Sequence, residues 1–206
     1  MELWNNMDQW IRENESYFLP PVCNKMMHKE GQLKVFFVGG PNQRYDYHIE
    51  EGEELFYMVK GDMVLKVLEH GRPKDVVIQE GEVFLLPARI PHSPQRQRGT
   101  VGLVIERERA ETELDCLRYY TDEQCSQTLF ERWMHCKNLN HDLVPVINEF
   151  LNSEEYRTRR PGKLSFTTKE AYGTDIESTL DPPFNLDKWL QRHLRELSSP
   201  GSSRSE

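Results

Sequence analysis

No stretch of this chain approaches the roughly 18 consecutive apolar residues needed to cross a bilayer as a helix, so no such span is expected. Basic residues are outnumbered: 26 Lys and Arg against 34 Asp and Glu give a formal net charge of −8. That balance argues against non-specific binding to nucleic acid or to an anionic membrane. It does not argue against an anionic small molecule, because a pocket can be basic on an acidic protein. Cysteine is sparse, with Cys23, Cys116, Cys125 and Cys136 and no C-x-x-C pair. The opening Met1-Glu2-Leu3-Trp4-Asn5-Asn6 lacks the charged start and apolar run of a secretory signal. Reduced thiols and a cytoplasmic (cytosolic) location are therefore expected.

What the 206 residues do contain, 37% hydrophobic and 10% aromatic, suffices for one packed core. Residues 1–14 place Leu3, Trp4, Met7, Trp10 and Ile11 at helical spacing. From about 32 to 106 short apolar runs alternate with turns. Leu33–Val38 ends at Gly39-Gly40-Pro41, and Leu55–Val59 ends at Lys60-Gly61-Asp62. Met63–Leu68, Val76–Ile78, Val83–Leu86 and Val101–Ile105 follow. Strands with close turns and no helices between them mean a mainly β, antiparallel sandwich or barrel. Beyond Glu106 the spacing of Leu129, Phe130, Trp133 and Met134 predicts a helix, and that of Leu143, Val146, Ile147, Phe150 and Leu151 another. A boundary is expected near residue 160, where Arg157-Thr158-Arg159-Arg160-Pro161-Gly162 begins a polar stretch, with the linker over 161–178. Leu186, Trp189, Leu190, Leu194 and Leu197 predict a short helical C-terminal extension, and 198–206 reads as a flexible Ser-rich tail.

Chemistry concentrates in two segments. His48 precedes a glycine-containing turn, and Glu54 then enters a strand in which Glu54, Phe56 and Met58 share one face. If that face is interior, an unpaired carboxylate there is costly, and a metal cation is one way to compensate it. His92 follows Val83–Leu86 in the proline-stiffened run Pro87-Ala88-Arg89-Ile90-Pro91-His92-Ser93-Pro94. Two imidazoles and a carboxylate leave open coordination positions, as in non-haem Fe(II) enzymes that use O₂. Taken singly, His92 is equally a surface histidine, and Glu50, Glu51, Glu53 and Glu54 equally a solvated turn. His28, His70, His135, His141 and His193 show no comparable framing.

Glycines frame both segments. One reads G-x5-D-x-H-x5-E-x6-G from Gly40 to Gly61, the other G-x5-P-x-R-x2-H-x3-R from Gly81 to Arg96. These resemble the two cupin motifs, which implies an antiparallel cupin (jelly-roll) barrel with flanking helices. Asp46 stands where the first motif usually has a histidine, and the gap from His48 to Glu54 is one residue longer than usual. Arg89 stands where the second motif usually has glycine, and Arg96 where it usually has asparagine. Three ligands are expected, not four.

Asp46-Tyr47-His48-Ile49-Glu50-Glu51-Gly52-Glu53-Glu54, Phe84–Arg89 and Pro91-His92-Ser93-Pro94-Gln95-Arg96 closely resemble the animal 3-hydroxyanthranilate 3,4-dioxygenase family. So do Glu111–Asp115, Leu117–Tyr120 and Glu154–Thr158. The resemblance implies Fe(2+)-dependent ring opening of 3-hydroxyanthranilate by O₂ to 2-amino-3-carboxymuconate semialdehyde, which cyclises to quinolinate, a precursor of NAD. It implies that His48, Glu54 and His92 bind iron and that Arg96 and Glu106 contact substrate, with Glu54 close enough to share proton transfer. Arg44 matches the arginine beside the O₂ site. Considered without the family, Arg44, Arg96 and Glu106 read as surface charges, Glu106 opening the run Glu106-Arg107-Glu108-Arg109.

The spacing of Cys116, Cys125 and Cys136 implies no second metal centre of the bacterial type. Residues 1–160 are expected to be the catalytic cupin domain. Asp181–Leu190 resembles the start of a second cupin domain, so 179–206 is expected to be a shortened version of it with a tail. The two-domain family form is a monomer; shortening would expose an apolar face prone to self-association. Two other functions stay open: a cupin isomerase using Zn²⁺ or Mn²⁺, and a non-catalytic cupin that binds metal or a partner without turnover.

Overall fold

A computed structural model describes residues 6–20, 23–28, 30–167 and 169–197. Helix α1 (Met7–Glu13) opens the described chain, its first turn capped by the Asn6 side chain, which accepts the Gln9 N–H. Its apolar face, Met7, Trp10 and Ile11, packs on Phe18, Phe37 and Val101. Leu3 and Trp4, expected on that face, lie outside the described residues, as does the tail 198–206.

The strands are β1 (Asn24–His28), β2 (Leu33–Gly39), β3 (Asn42–Gln43), β4 (Tyr47–Ile49), β5 (Glu54–Lys60), β6 (Met63–Glu69) and β7 (Arg72–Ile78). They continue as β8 (Glu82–Leu86), β9 (His92–Arg96), β10 (Val101–Arg107), β11 (Asp115–Tyr120), β12 (Thr128–Met134) and β13 (Phe184–Asn185). One sheet runs β1-β2-β10-β5-β8-β13; the other runs β12-β11-β4-β9-β6-β7, with β3 also on β9. Each named pairing is antiparallel. This is the expected jelly-roll barrel. The two sheets close on a core that includes Phe36, Phe56, Met58, Leu65, Val67, Ile78 and Phe84. In β5 the period of two holds, with Glu54, Phe56 and Met58 buried and Leu55 and Tyr57 less so. Strand β2 is apolar on both faces because Phe36 and Val38 face the barrel while Phe37 meets Trp10 of α1, ring centroids 5.0 Å apart.

Two expectations need correction. Residues 128–134 form strand β12, not a helix. Five consecutive residues, Leu129 to Trp133, are buried, because α2 (Leu139–Asn152) covers the face that carries Arg132 and the later chain around Ser165 and Tyr172 covers the other. Arg132 on that strand is held by Glu149 of α2 at 2.6 Å. With both faces covered, alternation disappears and the apolar spacing imitates a helix. His92, expected in a loop, opens strand β9, and the stiffening prolines Pro87 and Pro91 precede it.

Helix α2 spans the expected 143–151, anchored by Phe150 stacked on Tyr119 at 3.6 Å, and α3 (Glu154–Thr158) follows, capped by Ser153. The stretch after residue 160 returns across the barrel. The Tyr172 hydroxyl donates to the carbonyls of Ile49 and Leu114, the Asp175 N–H donates to the Arg89 carbonyl, and Leu180 enters the core. Helix α4 (Leu186–Leu197), as expected, leaves Leu194 and Leu197 exposed. Among the described residues no helix is long and apolar enough to cross a membrane.

Candidate functional site

The motif glycines shape the turns that aim the site. Gly61 and Gly81 have φ of +67° and +80°, a region that L side chains rarely adopt. A Cβ on Gly40 would collide with the Gln97 carbonyl. With these turns fixed, β4 and β9 run side by side and His48 stands directly opposite His92. Directly opposed residues share a face, and the two rings lie 5.3 Å apart. Glu54 comes from the other sheet, where it pairs with Leu86 on one side and Glu106 on the other. His48, Glu54, His92, Arg44 and Arg96 all line one cavity of about 580 Å³. Leu143, Val144, Ile147 and Phe150 of α2 form its apolar wall.

Hydrogen bonds fix the imidazole tautomers. His92 Nδ1 lies 3.0 Å from the Ile90 carbonyl, an acceptor, so that nitrogen carries the proton. Nε2 then presents a lone pair, and it faces Glu54 Oε2 at 3.0 Å. That oxygen is buried and has no hydrogen-bond partner. Two acceptors aimed at each other repel unless a cation lies between them or the imidazole takes a second proton. Burial pushes the Glu54 carboxyl up, but His92, His48 and Arg109 outweigh it and hold it below its ordinary value. His48 Nε2 donates to Asp115 Oδ2 at 2.7 Å, which leaves Nδ1 as its lone-pair nitrogen. Burial lowers the His48 pKa, keeping the ring neutral. A histidine that donates one N–H to a carboxylate or carbonyl and keeps the other nitrogen free is the usual form of a metal ligand.

Among the described residues, the three ligand-type side chains whose donor atoms all lie within 4.8 Å of one another are Glu50, Glu54 and Glu106. The structure thus brings Glu54 and His92 into contact, while His48 is turned toward Asp115.

The remaining expected residues divide by partner. Arg96 is buried, and its Nε has no hydrogen-bond partner. Burial lowers its pKa to about 10, Glu54 opposing that shift and Arg44 adding to it. Gly102 on β10 leaves it room, since a Cβ there would stand 3.8 Å from Arg96 Nη2 and 3.0 Å from Met58 Sδ. Arg44 is committed to Asp46 through both Nε and Nη2, so Asp46 holds an arginine where a fourth ligand would otherwise stand. Glu106 is buried on β10, bonded to Arg109 through Oε1, and Oε2 is unpartnered. Burial pushes its carboxyl up to about 7, with Arg109 pulling it down and Glu54 pushing it up.

Sequence reasoning missed Glu50, Arg109 and Asp115, all buried. Arg109 meets Asp115 through Nε at 3.1 Å and Nη2 at 2.9 Å, and Glu50 at 2.6 Å. Three carboxylates, Glu50, Glu106 and Asp115, therefore meet one guanidinium, and a Glu54 oxygen lies within 4.8 Å of oxygens of Glu50 and Glu106. No local signal pointed to Arg109, because β10 ends at Arg107 and the exposed Glu108 beside it makes the run read as solvated.

Comparison with known proteins gives a consistent result. The family model described as 3-hydroxyanthranilic acid dioxygenase matches residues 2–151. The 3-hydroxyanthranilate 3,4-dioxygenase of Rattus norvegicus is 54% identical over 199 residues, 97% of this chain and 68% of its own. That of Homo sapiens is 56% identical over 92% of this chain and 65% of its own, and that of Nematostella vectensis 56% over 90% and 66%. The chain thus spans about two thirds of the length of these relatives.

Proposed function

The chain belongs to the 3-hydroxyanthranilic acid dioxygenase family, and from that premise we propose that it opens the ring of 3-hydroxyanthranilate with O₂. The product is 2-amino-3-carboxymuconate semialdehyde, both oxygen atoms of O₂ entering it, and that product cyclises to quinolinate on the way to NAD. The observation that carries this reading is the pairing of two features in one cavity. His92 Nε2 and Glu54 Oε2 face each other as acceptors, and Arg96 stands beside them as a buried cation with an unpartnered Nε.

The donor set fits a divalent first-row ion. His92 Nε2 and Glu54 Oε2, two acceptors 3.0 Å apart, would both be satisfied by one cation held between them. Glu50, Glu54 and Glu106 offer carboxylate oxygens within 4.8 Å of one another, a crowding of buried acids that a cation would relieve. His48, Glu54 and His92 would hold Fe(II), His48 through Nδ1. When bound, the ion supplies open positions for the neighbouring amino and hydroxyl groups of the substrate and for O₂.

The side chains do the rest. Arg96 offers its planar fork to the substrate carboxylate, exchanging an unpartnered burial for a charge-assisted pair. Glu106 Oε2 accepts the proton released by the ring hydroxyl, a task matched to a carboxyl near 7. Arg44 lines the same cavity and adds positive charge beside the reacting centre. Leu143, Ile147 and Phe150 give the ring an apolar wall and keep water out.

The test is anaerobic loading with Fe(II), then addition of 3-hydroxyanthranilate and O₂, with the absorbance of the semialdehyde as readout. Its growth supports the reading. Well-folded, iron-loaded protein that gives no signal overturns it in favour of a cupin that binds metal without turnover.

A further inference from the structure

Arg109 lies outside the cavity lining and in the loop between β10 and β11, yet it touches both halves of the site. One edge of its guanidinium grips Asp115, Nε to Oδ1 at 3.1 Å and Nη2 to Oδ2 at 2.9 Å. Asp115 Oδ2 is the atom that accepts the His48 Nε2–H at 2.7 Å. Nη1, on the other side of the fork, bonds Glu106 Oε1. That contact occupies one oxygen of Glu106 and leaves Oε2 without a partner, with a carboxylate oxygen of Glu106 within 4.8 Å of one of Glu54. Nη2 also lies 2.6 Å from Glu50 Oε2. All six side chains are buried.

We infer that Arg109 is a positioning residue that couples the two halves of the reaction centre: through Asp115 it sets the ring of His48, and through Nη1 it sets Glu106. This rests on the metal and substrate roles proposed above. The geometry requires a fork. A guanidinium presents five N–H donors in one plane and addresses carboxylates on two edges at once, which a lysine ammonium on a flexible stem does not. A charge-balancing arginine alone needs only proximity. Here Asp115 is held bidentately and in line with the histidine, the arrangement by which an outer carboxylate orients a ligating imidazole.

Two equilibrium measurements on the full chain test this without turnover. Co(II) affinity is read from the visible absorption of the bound ion, and 3-hydroxyanthranilate affinity is read anaerobically on the Co(II) protein. Asp115→Asn is expected to weaken Co(II) binding by roughly 10- to 100-fold and leave substrate affinity within about threefold. Glu106→Gln is expected to do the reverse. Arg109→Lys is expected to weaken both, and Arg109→Lys with Asp115→Asn to weaken Co(II) binding no further than either change alone. Should Arg109→Lys fail to fold, Arg109→Met combined with Glu50→Gln removes one acid with the arginine and carries the same expectation. A folded variant with both affinities within about threefold of the parent overturns the inference, as does failure of both variants to fold, which would make Arg109 structural only. Parent protein that binds Co(II) but never cleaves the ring overturns the dioxygenase reading instead, and the Co(II) titration still decides Arg109.

Discussion

Glu54 Oε2 and His92 Nε2 face each other at 3.0 Å across the barrel interior, and neither atom has a proton to offer when the histidine is neutral. The pair is therefore repulsive until a cation, or a second proton on the imidazole, joins it. Metal should stabilise the fold accordingly, by about 2.7 kcal/mol at a hundredfold excess over Kd. Thermal melts with Fe(II) or Co(II) and with chelator measure this. His92→Ala should abolish the metal-dependent rise in Tm, and a rise as large as the parent's would remove His92 from the ligand set.

Arg96 should behave oppositely for stability and for binding. Its buried charge has no hydrogen bond at Nε, and burial lowers its pKa to about 10, so the charged form is disfavoured in the folded chain. Arg96→Met should leave the unfolding midpoint unchanged or raise it. The same change removes a charge-assisted contact worth about 1.5–3 kcal/mol, which is roughly 10- to 150-fold in KM. Steady-state kinetics and urea melts on one preparation check both signs. A variant that is destabilised but keeps the parent KM contradicts the assignment.

Glu106 makes the metal-free protein pH-sensitive. Its carboxyl rises from an ordinary 4.5 to about 7 on folding. The folded chain then keeps a proton that the unfolded chain has already released, so stability is full below about 4.5 and declines as pH rises through about 7. Glu50, pushed up by burial and by Glu106, acts in the same direction. Unfolding midpoints between about pH 5 and pH 8 should fall in the parent, and Glu106→Gln should flatten part of the slope. A parent slope that Glu106→Gln leaves unchanged would show that this carboxyl is ionised throughout.

How much of this was legible depends on how local the signal was. The glycine-framed turns and the alternation through Glu54, Phe56 and Met58 are local, and they placed His48, Glu54 and His92 around one cavity. Strand β12 was misread because α2 covers one of its faces and the chain around Tyr172 the other, contacts that no short window contains. Arg109 and Asp115 were missed for a related reason. Glu106-Arg107-Glu108-Arg109 has the composition of a solvated run, and only the pairing of β10 with β2 and β5, and of β11 with β4 and β12, decides which charges turn inward.

Arg89 shows a departure from motif being absorbed by the fold. It occupies a position where cupin motifs carry glycine, and its φ of +64° explains the preference. For an L residue that conformation costs about 1–2 kcal/mol. Its backbone N–H donates to the Glu50 carbonyl and its own carbonyl accepts the Asp175 N–H, so the turn cannot relax. The side chain offsets part of the cost, with Nη2 3.1 Å from Glu51 and the guanidinium 5.1 Å over the Tyr172 ring. Those partly exposed contacts contribute about 1 kcal/mol together. Arg89→Gly relieves the strain, loses the contacts and adds unfolded-state entropy, so its urea midpoint should lie close to the parent's. Arg89→Ala keeps the strain and loses the contacts, and should be less stable by about 1 kcal/mol. An alanine variant at least as stable as the glycine variant would mean that the side chain, not the backbone, decides this position.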